Sequence, residues 1–143
     1  MAQLYFQSIR EMSVNKILLA EDDLDDQDIF KEAVAEASPG IDLVMFDNGE
    51  KLLNYMDQLD DAELPALIVL DQNMPRLKGN ETVYRLRENE RFKNIPAVIY
   101  STYHDPRFIG DCDSHRIELL LKPDTFDAFS EMVKDLVGRY INK

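Results

Sequence analysis

An apolar stretch that ends in a single carboxylate is the clearest chemical signal in this sequence. Residues 67–70 read Leu-Ile-Val-Leu, Asp71 follows them, and Asn73, Pro75 and Gly79 stand in the next segment. Continuous apolar runs are typical of strands in parallel sheets, which are covered on both faces. Ligands of such sheets bind beyond the carboxyl ends of the strands. The stretch therefore predicts a buried strand with Asp71 at a candidate site, although Asp, Asn, Pro and Gly are also ordinary turn residues.

Polar side chains also stand where other predicted strands end. Glu21 and Asp22 follow the first predicted strand, Ser101 ends the fourth, and Lys122 follows the fifth. The carboxyl ends of parallel strands lie along one edge of a sheet, so we expect these groups to meet Asp71 there. Two carboxylates 4 Å apart repel by about 4 kcal/mol at an effective dielectric near 20, and such a cluster therefore needs a cation.

The chemistry expected of this set is phosphoryl transfer. Mg²⁺ prefers oxygen ligands and octahedral geometry, which carboxylates and water supply. A carboxylate can also act as a nucleophile and form an aspartyl-phosphate. Lys122 would add a positive point charge, and the hydroxyl of Ser101 could donate a hydrogen bond to a phosphoryl oxygen. Thr102 also offers a hydroxyl, but side chains alternate along a strand, which favours Ser101.

The elements that must position these groups alternate along the chain. Apolar runs predict strands at 14–20, 41–46, 67–70, 97–101 and 119–121. Helical periodicity predicts helices at 24–37, 48–59, 80–88 and 105–112, with a last helix capped by Asp124. This alternation is typical of the α/β class, and we expect one five-stranded parallel sheet with helices on both faces. No linker to a second domain is visible, so no output domain is expected.

Composition narrows the classes of function. The 143 residues carry a formal net charge of −12, which argues against direct nucleic-acid binding. No apolar stretch approaches the roughly 18 residues of a membrane span. One cysteine, Cys112, excludes an internal disulfide and fits a reducing compartment, so we expect a cytoplasmic protein.

Several segments have less specific interpretations. Residues 1–12 are interpreted as an N-terminal extension, since the stretch "LYFQS" resembles the remnant of an expression tag. The broad apolar face of the last helix predicts core packing, with a homodimer or partner surface as the alternative. His104 and His115 are too isolated for a zinc site and are interpreted as surface groups. Four acidic residues are interpreted as a solvated first helical turn: Asp23, Asp25, Asp26 and Asp28.

With these residues in view, the chain over about 14–141 resembles a response-regulator receiver domain of the CheY-like type, a (βα)5 flavodoxin-like fold. The likeness rests on the acidic pair after strand one, the aspartate after strand three, a hydroxyl residue thirty positions later, a Lys-Pro pair after strand five and a loop glycine. The matching residues are Glu21, Asp22, Asp71, Ser101, Lys122, Pro123 and Gly79. A weaker likeness connects the chain to single-domain regulators of the phytochrome-linked kind.

The resemblance implies a phosphorylation-dependent response regulator of two-component signalling spanning residues 13–143. Asp71 would accept a phosphoryl group from a histidine kinase or phosphotransfer protein. Mg²⁺ or Mn²⁺ would be held by Glu21, Asp22, Asp71 and the backbone carbonyl of Asn73. The phosphorylated protein would bind a protein target that the sequence does not identify, and it would catalyse only its own phosphotransfer and dephosphorylation.

Two other functions stay open at this stage. A pseudo-receiver would fold in the same way and bind partners without phosphorylation, which the complete acidic set, Ser101 and Lys122 argue against. A phosphatase of the haloacid-dehalogenase kind usually has a second aspartate two residues after the nucleophile, where this chain has Asn73.

The sequence also departs from the receiver pattern at two places. Leu119 replaces the usual aromatic residue, and "DSHRIE" replaces the small residues that usually lead into strand five. We therefore expect signal output through the backbone near Tyr103 rather than through an aromatic rotamer.

Overall fold

Five parallel strands form one sheet at the centre of the computed structural model, which describes residues 15–142. The strand order is β2-β1-β3-β4-β5, so the strand that carries Asp71 is the central one. The strands are β1 (Lys16–Ala20), β2 (Asp42–Phe46), β3 (Leu67–Asp71), β4 (Ala97–Ser101) and β5 (Ile117–Leu121). The helices are α1 (Leu24–Ala37), α2 (Gly49–Asp57), α3 (Gly79–Arg87), α4 (Pro106–Ser114) and α5 (Phe126–Tyr140), with a short 3₁₀ helix at Asp61–Glu63. The predicted fold class is confirmed.

Alternation of side chains along the strands builds two apolar layers. Ile17 and Leu19 of β1 point into the layer under α1 and α5, whereas Leu18 and Ala20 point into the layer under α2, α3 and α4. All four side chains are fully buried. Because both faces of the sheet are covered, its carboxyl edge is the part of the inner strands that remains available for a site.

The strand register brings the carboxyl ends to a common level. Ala20 pairs with Leu70, Asp71 pairs with Tyr100, and Ser101 pairs with Leu121. The residues directly after these strands therefore emerge side by side, as the sequence predicts.

Helix caps explain most of the helix boundaries. The side chain of Asn48 accepts a hydrogen bond from the backbone N–H of Lys51 at 2.9 Å, and that of Asp105 accepts one from Phe108 at 2.8 Å. The last helix is different, because its cap is Thr125 rather than the predicted Asp124. The Thr125 hydroxyl oxygen is the one that accepts the N–H of Ala128, at 3.1 Å, three residues along.

Strand β5 begins two residues earlier than predicted. The prediction excluded Glu118 because it interrupts the apolar pattern, but the charge of Glu118 is compensated in the structure. Both carboxylate oxygens of Glu118 accept hydrogen bonds from the guanidinium of Arg139, at 2.9 and 2.6 Å, and Tyr140 also donates to it. A bidentate pair of this kind makes a charged residue compatible with a strand that a helix covers.

Most of the apolar face of α5 packs in the core, as expected, although one aromatic residue at the start of the helix does not. Phe129 is buried, whereas Phe126 is 56% exposed. The predicted start of the first strand, residue 14, lies outside the described residues. The whole segment 1–12 also lies outside them. Among the described residues, no helix is both long and apolar enough to cross a membrane.

We predict that Phe129→Ala will lower the free energy of unfolding by about 3–5 kcal/mol. The Phe129 ring makes edge contacts with Phe30 and Tyr100, with ring centroids 6.4 and 5.7 Å apart, so its removal leaves a cavity between α1, α5 and the sheet. Chemical denaturation measures the loss. Phe126→Ala is the matched control and should cost well under half as much, so equal losses would contradict this packing.

Candidate functional site

Three carboxylates meet at the carboxyl edge of the sheet. Glu21, Asp22 and Asp71 each offer an oxygen, and these oxygens all lie within 4.8 Å of one another. Glu21 and Asp71 are buried, with 0% and 5% of their surface exposed, whereas Asp22 is exposed. Such a set can bind a hard cation that enters from the solvent side.

Glycine at position 79 lets the turn after β3 pack against Asp71. A Cβ atom at Gly79 would lie 2.7 Å from the backbone oxygen of Asp71 and 3.1 Å from the Cα of Gln72. The backbone N–H of Gly79 donates to the Gln72 carbonyl at 3.2 Å, and the N–H of Asn73 donates to the Asp71 carboxylate at 3.2 Å. The close approach of α3 thus fixes the strand end that presents Asp71.

Glu21 is held by two donors that the sequence interpretation did not identify. The hydroxyl of Tyr100 donates to Glu21 Oε1 at 2.8 Å, and the backbone N–H of Asp23 donates to Oε2 at 3.1 Å. Tyr100 is fully buried in the layer under α1 and α5. Alternation could have indicated this contact, since Glu21 continues the series of Ile17 and Leu19, which points to the same layer as Tyr100.

Lys122 reaches all the inner carboxylates but lies nearest to one that was not predicted. Its Nζ is 2.8 Å from Asp26, 3.6 Å from Asp71 and 3.7 Å from Glu21. The interpretation of Asp26 as part of a solvated turn is therefore wrong. Because α1 begins directly after the acidic pair, its first turn faces the site, and the Asp26 side chain is only 19% exposed.

Asp23 also has a structural role, because it is the cap of α1. Its carboxylate accepts hydrogen bonds from the backbone N–H groups of Asp25 and Asp26, at 2.9 and 3.1 Å. Asp25 and Asp28 are exposed, which agrees with a solvated acidic turn.

Burial and mutual repulsion perturb the ionisation of the cluster. Burial, followed by the charge of Asp71, raises the pKa of Glu21 to about 8. Burial also raises the pKa of Asp71, although Lys122 and the Asn73 N–H oppose that shift. Burial disfavours the charged form of Lys122, but the hydrogen bond to Asp26 and the charges of Glu21 and Asp71 prevail and raise its pKa. The site thus has more negative charge than its single ammonium balances, which favours a bound cation.

Ser101 lies at the same edge and is linked to the loop that follows it. Its side chain is 2% exposed, whereas Thr102 is exposed, as alternation predicts. The Ser101 hydroxyl donates to the Tyr103 carbonyl at 3.0 Å and accepts from the Tyr103 N–H at 3.3 Å. Asn73 lies beside Asp71, to whose carboxylate its N–H donates, and it lines a surface pocket together with Ser101.

The remaining predicted residues lie farther from the carboxylates or take structural roles. Pro123 is half-buried beside Lys122. The two histidines were predicted to be surface groups, but both are half-buried. The His115 ring stacks on Tyr84 with centroids 4.1 Å apart, and a ring nitrogen of His104 lies 3.2 Å from the Leu120 carbonyl oxygen.

The unusual entry into β5 has a conformational explanation. Arg116 has φ of 57°, in the left-handed region that favours glycine. It directly follows His115, the C-cap residue of α4, and so stands at the position where glycine is common after helices. Leu119, in place of an aromatic residue, packs half-buried against the apolar layer under α2, α3 and α4.

Comparison with protein families identifies one that spans most of the chain. The family model described as "Response regulator receiver domain" matches residues 17–134. Response regulator Rcp1 of Synechocystis is 29% identical over 92 residues, which are 62% of this chain and 63% of Rcp1. An uncharacterized response regulatory protein of Vibrio cholerae is 30% identical over 91 residues, 63% of this chain and 32% of that protein. The matches thus span less than two thirds of the length of these relatives.

Solved structures show the same fold. The phosphorylated cyanobacterial phytochrome response regulator RcpA aligns with a TM-score of 0.79 and 25% identity, over 87% of this chain and 92% of that one. A response regulator in red light signalling of R. palustris aligns with a TM-score of 0.75 and 31% identity, over 89% and 94%. The Mn²⁺-bound form of Rcp1 aligns with a TM-score of 0.80 at 23% identity, over 90% and 95%, and shows the fold alone.

We predict that Glu21→Gln will flatten the pH dependence of stability in metal-free protein. Folding raises the pKa of Glu21 from 4.5 to about 8, so the folded protein keeps a proton that the unfolded chain releases between these values. Its contribution to the free energy of unfolding is therefore present below pH 4.5 and is lost as pH rises toward 8. Glutamine can keep both hydrogen bonds, because its oxygen accepts the Asp23 N–H and its amide donates to the Tyr100 hydroxyl oxygen.

The measurement is urea unfolding of both proteins in the presence of a chelator, from pH 5 to pH 8. The wild-type stability should fall more steeply than that of the variant. Parallel pH profiles would contradict a buried, proton-binding Glu21.

Proposed function

This chain belongs to the response regulator receiver domain family, and from its site we propose that it accepts a phosphoryl group on Asp71. The phosphoryl donor would be a histidine kinase or a phosphotransfer protein, and Mg²⁺ or Mn²⁺ would bind beside Asp71. One observation carries this proposal: the buried Asp71 carboxylate ends the central strand, within 4.8 Å of two acidic partners and 3.6 Å from an ammonium group.

The residues present fit a divalent cation. The three acidic side chains offer only oxygen ligands. Burial and then the charge of Asp71 raise the pKa of Glu21, and a cation would compensate the charge of both acids. Glu21, Asp22, Asp71 and the Asn73 carbonyl would hold the ion, which supplies positive charge beside the phosphoryl oxygens when it is bound. The existence of a Mn²⁺-bound form of Rcp1 supports this part of the proposal.

The transfer step follows from the positions of Asp71, Lys122 and Ser101. A carboxylate oxygen of Asp71 would attack phosphorus as the bond from phosphorus to the donor's imidazole nitrogen breaks, and that nitrogen leaves with the electron pair. The Lys122 ammonium and the Ser101 hydroxyl would then contact the phosphoryl oxygens. Because Asp71 is pre-positioned by the Asn73 N–H and by the packing at Gly79, catalysis would be mostly positioning and charge stabilisation. Water would later hydrolyse the acyl phosphate, so the only turnover would be on the chain's own phosphoryl group.

The output would begin at Ser101. Since both hydrogen bonds of its hydroxyl go to the Tyr103 backbone, a movement of Ser101 toward the phosphoryl group must break or drag those bonds. Tyr103 is 72% exposed and precedes α4, so the change would reach a surface that a target protein can bind. Leu119 has no ring to move, which leaves this loop as the route.

The setting of the protein follows from the same proposal. A receiver that is phosphorylated by a histidine kinase, and whose single thiol, Cys112, is buried and unpaired, is consistent with a cytoplasmic location. A pseudo-receiver is the alternative, and it would show no phosphoryl gain in the experiment below. A phosphatase would release phosphate repeatedly from a small donor without forming an adduct.

We predict that Asp71→Asn abolishes phosphorylation without disturbing the fold. Incubation with Mg²⁺ and an acyl phosphate donor should add the mass of one phosphoryl group to the wild type and none to the variant, as measured by intact-mass spectrometry. Asp47→Asn is the matched control, because Asp47 follows β2 at the same edge of the sheet but pairs with Lys51 at 3.0 Å. The control should keep the full gain. An adduct on the Asp71→Asn protein would mean that the acceptor is another residue.

We also predict that Mg²⁺ raises the melting temperature and that Asp22→Ala removes most of this rise. A ligand that binds only the native state stabilises it by RT ln(1 + [L]/Kd), about 2.7 kcal/mol at a hundredfold excess over Kd. Scanning calorimetry with and without Mg²⁺ measures the shift, and Asp25→Ala, an exposed acid of the same helix start, controls for general charge. Equal Mg²⁺ shifts in the wild type and Asp22→Ala would place the ion elsewhere.

A further inference from the structure

The ammonium of Lys122 lies closest to a carboxylate that does not belong to the acidic set. Asp26, in the first turn of α1, is the only one of the three nearby carboxylates of the described site within hydrogen-bond distance of it, at 2.8 Å. We propose that Asp26 is a positioning residue that holds Lys122 in the unphosphorylated protein and competes with the phosphoryl group for it. This inference rests on the proposed function, in which Lys122 contacts the phosphoryl oxygens.

The geometry explains why Asp26 is the preferred acceptor. Both oxygens of Glu21 already accept hydrogen bonds, from the hydroxyl of Tyr100 and the N–H of Asp23, and the Lys122 ammonium lies 3.7 Å from Glu21, beyond hydrogen-bond distance. Asp26 has no competing donor to its carboxylate among the hydrogen bonds of the described residues. Its oxygens are therefore free to take the ammonium.

Both ends of this contact are fixed by the backbone. The N–H of Asp26 donates to the capping carboxylate of Asp23 at 3.1 Å, which orients the first turn of α1. The N–H of Lys122 donates to the Ser101 carbonyl at 2.9 Å, which anchors the base of the lysine to the end of β4. The ion pair thus connects the first turn of α1 with the end of the sheet, and the lysine, with its long flexible stem, is the more mobile partner.

The contact is also protected from solvent. The side chains of Lys122 and Asp26 are 20% and 19% exposed, so water and salt screen the pair less than they screen an ordinary surface pair. A phosphoryl group on Asp71 carries up to two negative charges in place of the single charge of the carboxylate, so about one negative charge is added near Lys122. Lys122 must then leave or share Asp26, while the Asp26 charge repels the incoming group. Both effects oppose binding of an anion at Asp71, so removal of the Asp26 charge should strengthen that binding.

The test is titration of the folded protein with beryllofluoride, an analogue of the phosphoryl group, by calorimetry at Mg²⁺ concentrations that saturate each variant. Asp26→Asn should bind roughly three- to tenfold more tightly than the wild type, as expected for loss of a partly buried ion pair. Asp26→Glu keeps a carboxylate and should stay within about twofold of the wild type. Asp25→Asn removes the same charge from the same turn without a contact to Lys122 and should also bind like the wild type.

The outcomes separate the two claims. If the wild type with Mg²⁺ does not bind beryllofluoride, the proposed function fails and the inference fails with it. If the wild type binds but Asp26→Asn matches Asp25→Asn, only the inference is overturned, because the effect is then general charge. Weaker binding by Asp26→Asn also overturns it, since Asp26 would then support the anion-binding position of Lys122.

Discussion

The site depends on the repulsion between carboxylates that the fold forces together out of water. Glu21 is fully buried and Asp71 nearly so, with oxygens close enough to share one cation. Burial raises the pKa of both groups, so the folded protein ionises them only at a cost in free energy. Such a cost is considerable for a small domain, whose net stability is of the order of 5–15 kcal/mol, and strongly perturbed carboxylates of this kind cluster at functional sites.

Several contacts at this edge of the sheet orient the buried acids or partly compensate their charge. The Tyr100 hydroxyl and the backbone of Asp23 hold Glu21 in one orientation, while the ammonium of Lys122 lies between the inner acids and Asp26. The tight approach of Gly79 keeps the end of β3 rigid. In the proposed function, a cation would relieve the repulsion, and a phosphoryl group on Asp71 would then contact both the cation and Lys122.

The sequence predicts the fold and the groups at the strand ends because both depend on local patterns. Apolar runs set the strands, and the parallel order puts their carboxyl ends together, which brings Asp71, Ser101 and Lys122 to one edge. Contacts between distant side chains are not encoded in this way. The bond from Tyr100 to Glu21 crosses an intervening strand, and the pair of Asp26 with Lys122 depends on how α1 leaves β1. The same limit explains Glu118, which looks unsuited to a strand until Arg139 of α5 is placed beside it.

The most direct test of this account is a crystal structure of the protein grown with Mg²⁺ and beryllofluoride. The account predicts beryllium bonded to a carboxylate oxygen of Asp71, the cation in contact with the acidic set, and the Lys122 ammonium turned toward fluoride. A structure that shows the cation away from Asp22 and Asp71, or beryllofluoride on another residue, would contradict it.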